Sequence, residues 1–380
     1  MNEEIKRYII EIANKTLETL DKYGYIPGGK NGPYNDEETP IRNSAHWIYI
    51  YSWLYRKDKD IKYYEAVKKL AEYLTSQNIE KSYYSFNCRN KEGKDHVNGT
   101  IGQAWAIEGL VEAFRILKED KYYDLAEKVF LSHDFDERIG CWNRCEIDGK
   151  ILGFDGTFNH QLWFAAAGSE ILEYKENSKI RNQINTFLDK CLNKNTIFHV
   201  HKNGVVCHYS CINDNIKSVI YYYLREFKNL FKKKFKLPNM EYKEEGYHYF
   251  ALYGFALLKK QFGEHAIFKS KKLELAIDYA ISEKNYLRQM KTSSSFDGTK
   301  LATKYKGSVN IYCFPYNSPF YEIPFINKEL NNSKNQEKYI DELWKIHKSN
   351  FLSTDNLKEN NVNDEITLKS RIYELLRAFD

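Results

Sequence analysis

Apolar residues recur at intervals of three and four along most of the chain, the spacing that gives an α-helix one apolar face. Residues 3–22 carry it as Ile5, Ile9, Ile12, Leu17 and Leu20, and it stops before a loop with Gly24, Pro27, Gly28 and Gly29. The same reading predicts helices near 42–56, 60–77, 98–117, 120–132, 157–174, 177–193, 212–233, 244–262, 268–283, 317–330, 335–350 and 364–379. Two longer loops, 79–97 and 133–156, separate them. One stretch breaks the rule: 197–211 alternates and carries Asn203-Gly204, which predicts a β-hairpin.

The helices are of two kinds. Some, as 60–77 and 120–132, are amphipathic and rich in Lys and Glu, fit for an outer layer. Others, as AHWIYIYSWLY, IGQAWAIEGLVEAF, HQLWFAAAGSEIL and YHYFALYGFALL, are apolar nearly all round and must be buried among neighbours. A buried helix followed by an amphipathic one, repeated, describes a ring of helical hairpins. The expected fold is therefore all-α, an (α/α)6-type toroid with a small β-hairpin insertion. It spans 1–380 as one domain, with a C-terminal helical extension at about 351–380.

Polar residues cluster where the buried helices begin. The starts read Arg42-Asn43-Ser44-Ala45-His46-Trp47, Asp95-His96-Val97-Asn98-Gly99-Thr100, Asp155-Gly156-Thr157-Phe158-Asn159-His160-Gln161, Glu244-Glu245-Gly246-Tyr247-His248 and Tyr316-Asn317-Ser318-Pro319-Phe320-Tyr321-Glu322. Parallel inner helices would bring these starts to one mouth, where helix dipoles favour anions and electron-rich oxygens. Capping accounts for many of the Asp, Asn, Ser and Thr residues, but poorly for His46, His160 and His248. We take Asp155, His160, His248 and Glu322 as the catalytic candidates, since burial at a helix start can move a carboxyl or imidazole pKa into the working range. Arg42, His46, Trp47, Asn98, Gln103, Trp105, Asn159, Trp163, Glu245, Tyr247, Tyr316 and Asn317 are the expected substrate-binding residues. Two carboxyls across a cavity would suit glycoside hydrolysis. A His or Tyr with Asn and Arg would suit proton abstraction beside a carboxylate, and residue types alone leave both open.

Composition adds a substrate class. Aromatic residues make up 16% of the chain, with 31 Tyr, and tyrosine lines wet pockets as well as cores. Such a lining suits a saccharide, though a coding bias explains the same composition. The net charge of +5 comes from dispersed Lys, with no stripe for nucleic acid, and accommodates an acidic sugar such as a uronate. No stretch has the length and apolarity of a membrane span, and the start lacks a signal-peptide core. With seven scattered Cys residues, these features read as a cytoplasmic protein with free thiols. No cofactor is called for. His199, His201, Cys207, His208 and Cys211 surround one hairpin, but their spacing matches no common zinc finger, so no metal is assigned.

The segments RNSAHW, DHVNGTIGQAW, FDGTFNHQLW and EEGYHYFALYG resemble inner-helix starts of the six-hairpin toroid superfamily. That superfamily holds unsaturated glucuronyl hydrolases, N-acylglucosamine 2-epimerase-like proteins, and toroidal domains of polyuronate lyases and C5-epimerases. The resemblance implies a carbohydrate-active enzyme cleaving a glycosidic bond, by hydrolysis or β-elimination, in an acidic or surface polysaccharide. It leaves a sugar or uronate epimerase, and a non-catalytic glycan-binding protein of polysaccharide biosynthesis, as alternatives.

Overall fold

The structure is a computed structural model describing residues 1–77, 79–193, 197–210, 240–292, 312, 317–331, 336–351 and 364–380, with isolated positions between 220 and 231. The helix expected at 212–233 falls mostly outside these residues.

Local signals set the helix ends. Asn2, Asp60, Asn177 and Ser270 accept backbone N–H groups at the starts of α1 (Glu3–Tyr23), α3 (Ile61–Thr75), α7 (Ser178–Leu192) and α9 (Lys271–Ile281). Gly24, left-handed at φ 81°, ends α1 and bonds back to Leu20. The helices that are apolar all round become the inner layer: α2 (Ile41–Asp58), α4 (Gly99–Leu117), α6 (Phe158–Ile171), α8 (Met240–Phe262) and α11 (Pro319–Asn331). Each packs on the next, α2 on α4, α4 on α6, α6 on α8 and α8 on α11. The amphipathic helices α3, α5 (Asp120–Ser132), α7, α9, α10 (Glu283–Thr292) and α12 (Gln336–Phe351) cover them from outside. On the far side α1 reaches α2 through Tyr51, whose hydroxyl donates to the Ala13 carbonyl, and α12 through the Tyr8–Trp344 ring contact.

Residues 364–379, expected as one extension helix, are two short ones, α13 (Glu365–Ser370) and α14 (Ile372–Arg377). They lie within the toroid: α14 packs between α11 and α2 as the sixth inner helix and closes the ring. At only six residues it is too short to display a helical period.

The loop at 133–156 carries a sheet that hydrophobic spacing did not predict: β1 (Phe135–Asp136), β2 (Cys141–Cys145) and β3 (Ile151–Phe154), antiparallel in that order. Gln161 of α6 holds it down, accepting from Trp142 N–H and donating to its carbonyl. The expected hairpin at 197–211 is a narrow turn with one bridge, Val200 to Val206. Its far arm runs beside the entrance to α6, where Phe158 N–H donates to the His208 carbonyl. No helix among the described residues is long and apolar enough to cross a membrane.

The inner helices run parallel, so their N-termini share one mouth and their C-termini the other. Arg377, at the end of α14, reaches across the lumen to Glu108 of α4 at 2.7 Å and to Glu170 of α6. Both carboxylates are buried or nearly so, and removing the guanidinium would leave two uncompensated charges. We expect Arg377→Ala to destabilise the fold by about 3–5 kcal/mol, read from urea unfolding, whereas Lys15→Ala in the exposed Glu11 pair should change it by less than about 1 kcal/mol.

Candidate functional site

All six inner-helix starts contribute to one cavity of about 260 Å³. Arg42 comes from α2, Asn98, Gly99 and Trp105 from α4, and Thr157, Asn159 and His160 from α6. Lys243, Tyr247 and Phe250 come from α8, Asn317 from the start of α11, and Arg371 from the start of α14. Loops supply Tyr34, Arg89, Lys94 and Asp95, β2 supplies Arg144, and the 197–210 arm supplies His208. Trp105 and Phe250 make an aromatic floor, and the Arg42 guanidinium lies 4.1 Å from the Trp105 ring centre. Below it His46 stacks on Tyr373 at 4.1 Å and closes the lumen.

At one wall, two carboxylates cap α4. Asp95 accepts the Gly99 N–H at 2.8 Å and Asp155 the next one, Thr100 N–H, at 3.1 Å. Asp95 is further gripped by Arg89 at 3.0 Å and Arg144 at 3.1 Å. Asp155 also accepts from Thr157 N–H and from His160 Nδ1, 2.7 Å away. Burial alone would push the Asp155 carboxyl up, but His160, the Thr157 bond and the Arg144 charge outweigh it and hold it at about 2. An ionised Asp155 fixes the imidazole with its proton on Nδ1 and leaves Nε2 as the acceptor. His160 is a quarter exposed, within the cavity. The close approach depends on Gly99: a Cβ there would sit 2.2 Å from Asp155 Oδ2 and 2.5 Å from His160 Nδ1, and its φ of 64° suits glycine.

The cavity's charge is lopsided. Arg42, Arg89, Lys94, Arg144, Lys243 and Arg371 face two carboxylates, Asp95 and Asp155. Some cations have partners behind them: Arg42 pairs with Glu38 at 3.1 Å, and Lys94 with Asp36. Arg371, 1% exposed, donates to Glu322 at 2.7 Å, to Glu374 and to Asn317 Oδ1. Burial pushes Glu322 up to about 8 despite Arg371, and Glu374 also upward.

Of the residues singled out from the sequence, the cavity gathers Asp155, His160, Arg42, Asn98, Trp105, Asn159, Tyr247 and Asn317. Glu322 lies one layer behind, fully buried against Arg371. His248 is elsewhere. Its Nδ1 accepts from Val206 N–H at 3.2 Å and its Nε2 donates to the Ala276 carbonyl at 3.1 Å, while burial lowers its pKa to about 3. Both ring nitrogens thus serve packing. His46 is sealed below the floor, with burial foremost, and then the nearby arginines, holding it neutral. Gln103 straps the loop at Phe86 and Val97, Trp163 stacks between Phe250 and Tyr253, Trp47 packs on Tyr51, and Glu245 pairs with Arg288. None of these lines the cavity. Tyr316 and Cys211 lie outside the described residues. Asp95, Arg89, Lys94, Arg144, Lys243 and Arg371 were not singled out; the signal for Asp95 was its place four residues ahead of Gly99, as Asp155 stands ahead of α6.

No protein-family model matches the chain. Solved structures share the architecture end to end at low identity. Cellobiose 2-epimerase from Spirochaeta thermophila aligns with a TM-score of 0.57 and 11% identity, over 100% of this chain and 99% of that one. Unsaturated glucuronyl hydrolase from Bacillus sp. GL1 gives 0.59 and 10%, over 98% and 96%. A D-mannose isomerase gives 0.55 and 14%, over 96% and 97%. At such identities the likeness is one of fold, the (α/α)6 toroid. Sequence similarity is more specific: archaeal glycosylation protein Q of Haloferax volcanii is 31% identical over 382 residues, covering 97% of this chain and 95% of that protein. Identity of that order, sustained over nearly the whole of both chains, makes this chain a member of the archaeal glycosylation protein Q family.

Proposed function

We propose that the protein is an enzyme that removes the proton next to the carboxylate of a uronate residue in a glycan, with His160 as the base. The observation that carries this is the Asp155–His160 pair, 2.7 Å apart, standing in a cavity lined by six cationic side chains. Nε2 of a neutral His160 can accept a proton, and ionised Asp155 stabilises the imidazolium that results. A carbon next to a carboxylate is a weak acid, because its charge on deprotonation spreads onto the carboxylate oxygens. Arg42, Arg89, Arg144 and Arg371 line the cavity, and their positive charge would stabilise that state even with their carboxylate partners behind them. The aromatic floor of Trp105 and Phe250 offers a surface for the C–H face of a sugar ring. From the carbanion-like state the substrate either expels the sugar oxygen on its β carbon, which takes a proton from the His160 imidazolium or from water as the glycosidic bond breaks, or takes a solvent proton on the other face, which is epimerisation.

Support for a glycan substrate comes from the relative named for archaeal glycosylation, and for sugar chemistry from the epimerase, isomerase and hydrolase that share the fold. Hydrolysis is the second reading, because Asp95 and Asp155 occupy successive N–H groups of one helix start. It ranks lower because hydrolysis needs one protonated carboxyl. Asp155, the carboxyl that touches His160, is held at about 2.

With a uronate-containing oligosaccharide in deuterated water, we expect deuterium at the carbon next to the carboxylate or an unsaturated uronate in the product. A new reducing end with neither signal would replace this reading by hydrolysis, and binding without any product would make the protein a glycan binder. His160→Ala should lower kcat by about 10²–10⁴-fold with little change in KM, while Arg42→Met should lower kcat and raise KM together.

The Asp155 carboxyl, depressed from 3.8 to about 2 in the folded chain, contributes stability that is present above pH ~4 and lost as pH falls towards 2. We expect Asp155→Asn to remove about 2 kcal/mol at neutral pH. Urea unfolding measured from pH 5 to pH 2 should show a correspondingly shallower acid decline in the variant.

A further inference from the structure

Beside the cavity, and outside the chemistry above, three side chains of metal-ligand type converge. His201 Nε2 is 2.8 Å from Glu244 Oε2 and 3.4 Å from Cys207 Sγ, and the three ligand atoms all lie within 4.8 Å of one another. We propose that His201, Cys207 and Glu244 form a binding site for a divalent ion of borderline softness, zinc first among them.

The argument begins with the turn. Gly204, left-handed at φ 95°, folds the arm back so that His201 N–H donates to the Val205 carbonyl and Cys207 N–H to the His199 carbonyl. His201 and Cys207 are thereby brought side by side from the two limbs of the hairpin. Glu244 arrives from a different element, the first turns of α8, and is itself oriented by the His208 N–H on its second oxygen at 3.3 Å. Such an outer partner is what metal-bound carboxylates ordinarily have.

The spacing suits the ion. Tetrahedral zinc bonds of about 2.0–2.3 Å set the nitrogen–sulfur edge at about 3.6 Å and the nitrogen–oxygen edge at about 3.3 Å. The first is nearly met, and the second requires an opening of about half an ångström. Thiolate and carboxylate together neutralise a divalent charge, and one nitrogen, one sulfur and one oxygen donor favour zinc over the oxygen-seeking magnesium or calcium. His201 is nearly half exposed, which gives the ion a path in and leaves a fourth position for water. Bound there, the ion would tie the hairpin arm to α8 and so fix His208, Lys243 and Tyr247 in the cavity wall.

The test is direct metal binding on the full chain, independent of any sugar chemistry. Zinc titrated calorimetrically should bind once per chain, and cobalt should give the near-ultraviolet thiolate charge-transfer band. Both signals should vanish in Cys207→Ser. His201→Ala and Glu244→Gln should weaken binding by more than the roughly 10- to 100-fold that loss of an outer partner costs. Circular dichroism of each variant keeps a folding failure separate, and zinc should raise the melting temperature of the parent but not of Cys207→Ser. Absence of a stoichiometric zinc isotherm in the parent, or an unchanged cobalt band in folded Cys207→Ser, overturns the site and leaves a hydrogen-bonded triad.

Discussion

The ring closes because a six-residue helix, α14, seats between α11 and α2, and it does so carrying a buried arginine at each end. Arg371 and Arg377 each lie between two carboxylates, Glu322 with Glu374 at one end and Glu108 with Glu170 at the other. Those partners come from α11, α4 and α6 as well as from α14 itself, so the charges tie helices that are not neighbours in the ring. Charges so far from water are stable only with all their partners in place. The same Arg371 lines the cavity. Ring closure and one of the site's cations therefore belong to one arrangement, and Arg371 cannot be altered without touching both.

The parallel inner helices add a second constraint. Their N-termini meet at one mouth, so unpaired N–H groups and dipole ends gather there, and carboxylates answer them at Asp95 and Asp155. A cap is ordinarily a dead end for chemistry. Asp155 differs because His160 stands on the adjacent helix start, within reach of the same carboxylate. Gly99 makes room for that reach, since any side chain at this position would occupy the space of both groups.

Much of this was legible in the sequence. Helices apolar on every side have no stable place except between neighbours, so the inner layer could be read from AHWIYIYSWLY and its counterparts. Polar starts of parallel helices must converge, which located Asp155, His160, Asn98, Arg42 and Tyr247. Side-chain direction was less accessible. Successive helical residues differ by about 100°, so Tyr247 enters the cavity while His248 turns into the packing against Val206 and Ala276. The cations were missed for another reason. Arg and Lys in a sequence read as solvated surface, and only the fold shows that Arg89, Arg144 and Arg371 turn inward. Arg144 comes from a sheet too short to announce itself, and Arg371 from the start of a helix shorter than the window in which a period can be read.

The lumen is plugged midway, between the cavity at the N-terminal mouth and a smaller hollow at the C-terminal one. Below Trp105 and Phe250, the stacked His46 and Tyr373 fill the axis with side chains at most 2% exposed, and beyond them Arg377 bridges it. A chain-like substrate of the proposed kind would therefore not thread through the ring as a strand passes through a clamp. Under the proposed reaction a glycan would enter and leave by the mouth where Asp155 and His160 stand, so the cavity would act on the sugars that reach its floor and not on a strand drawn past it.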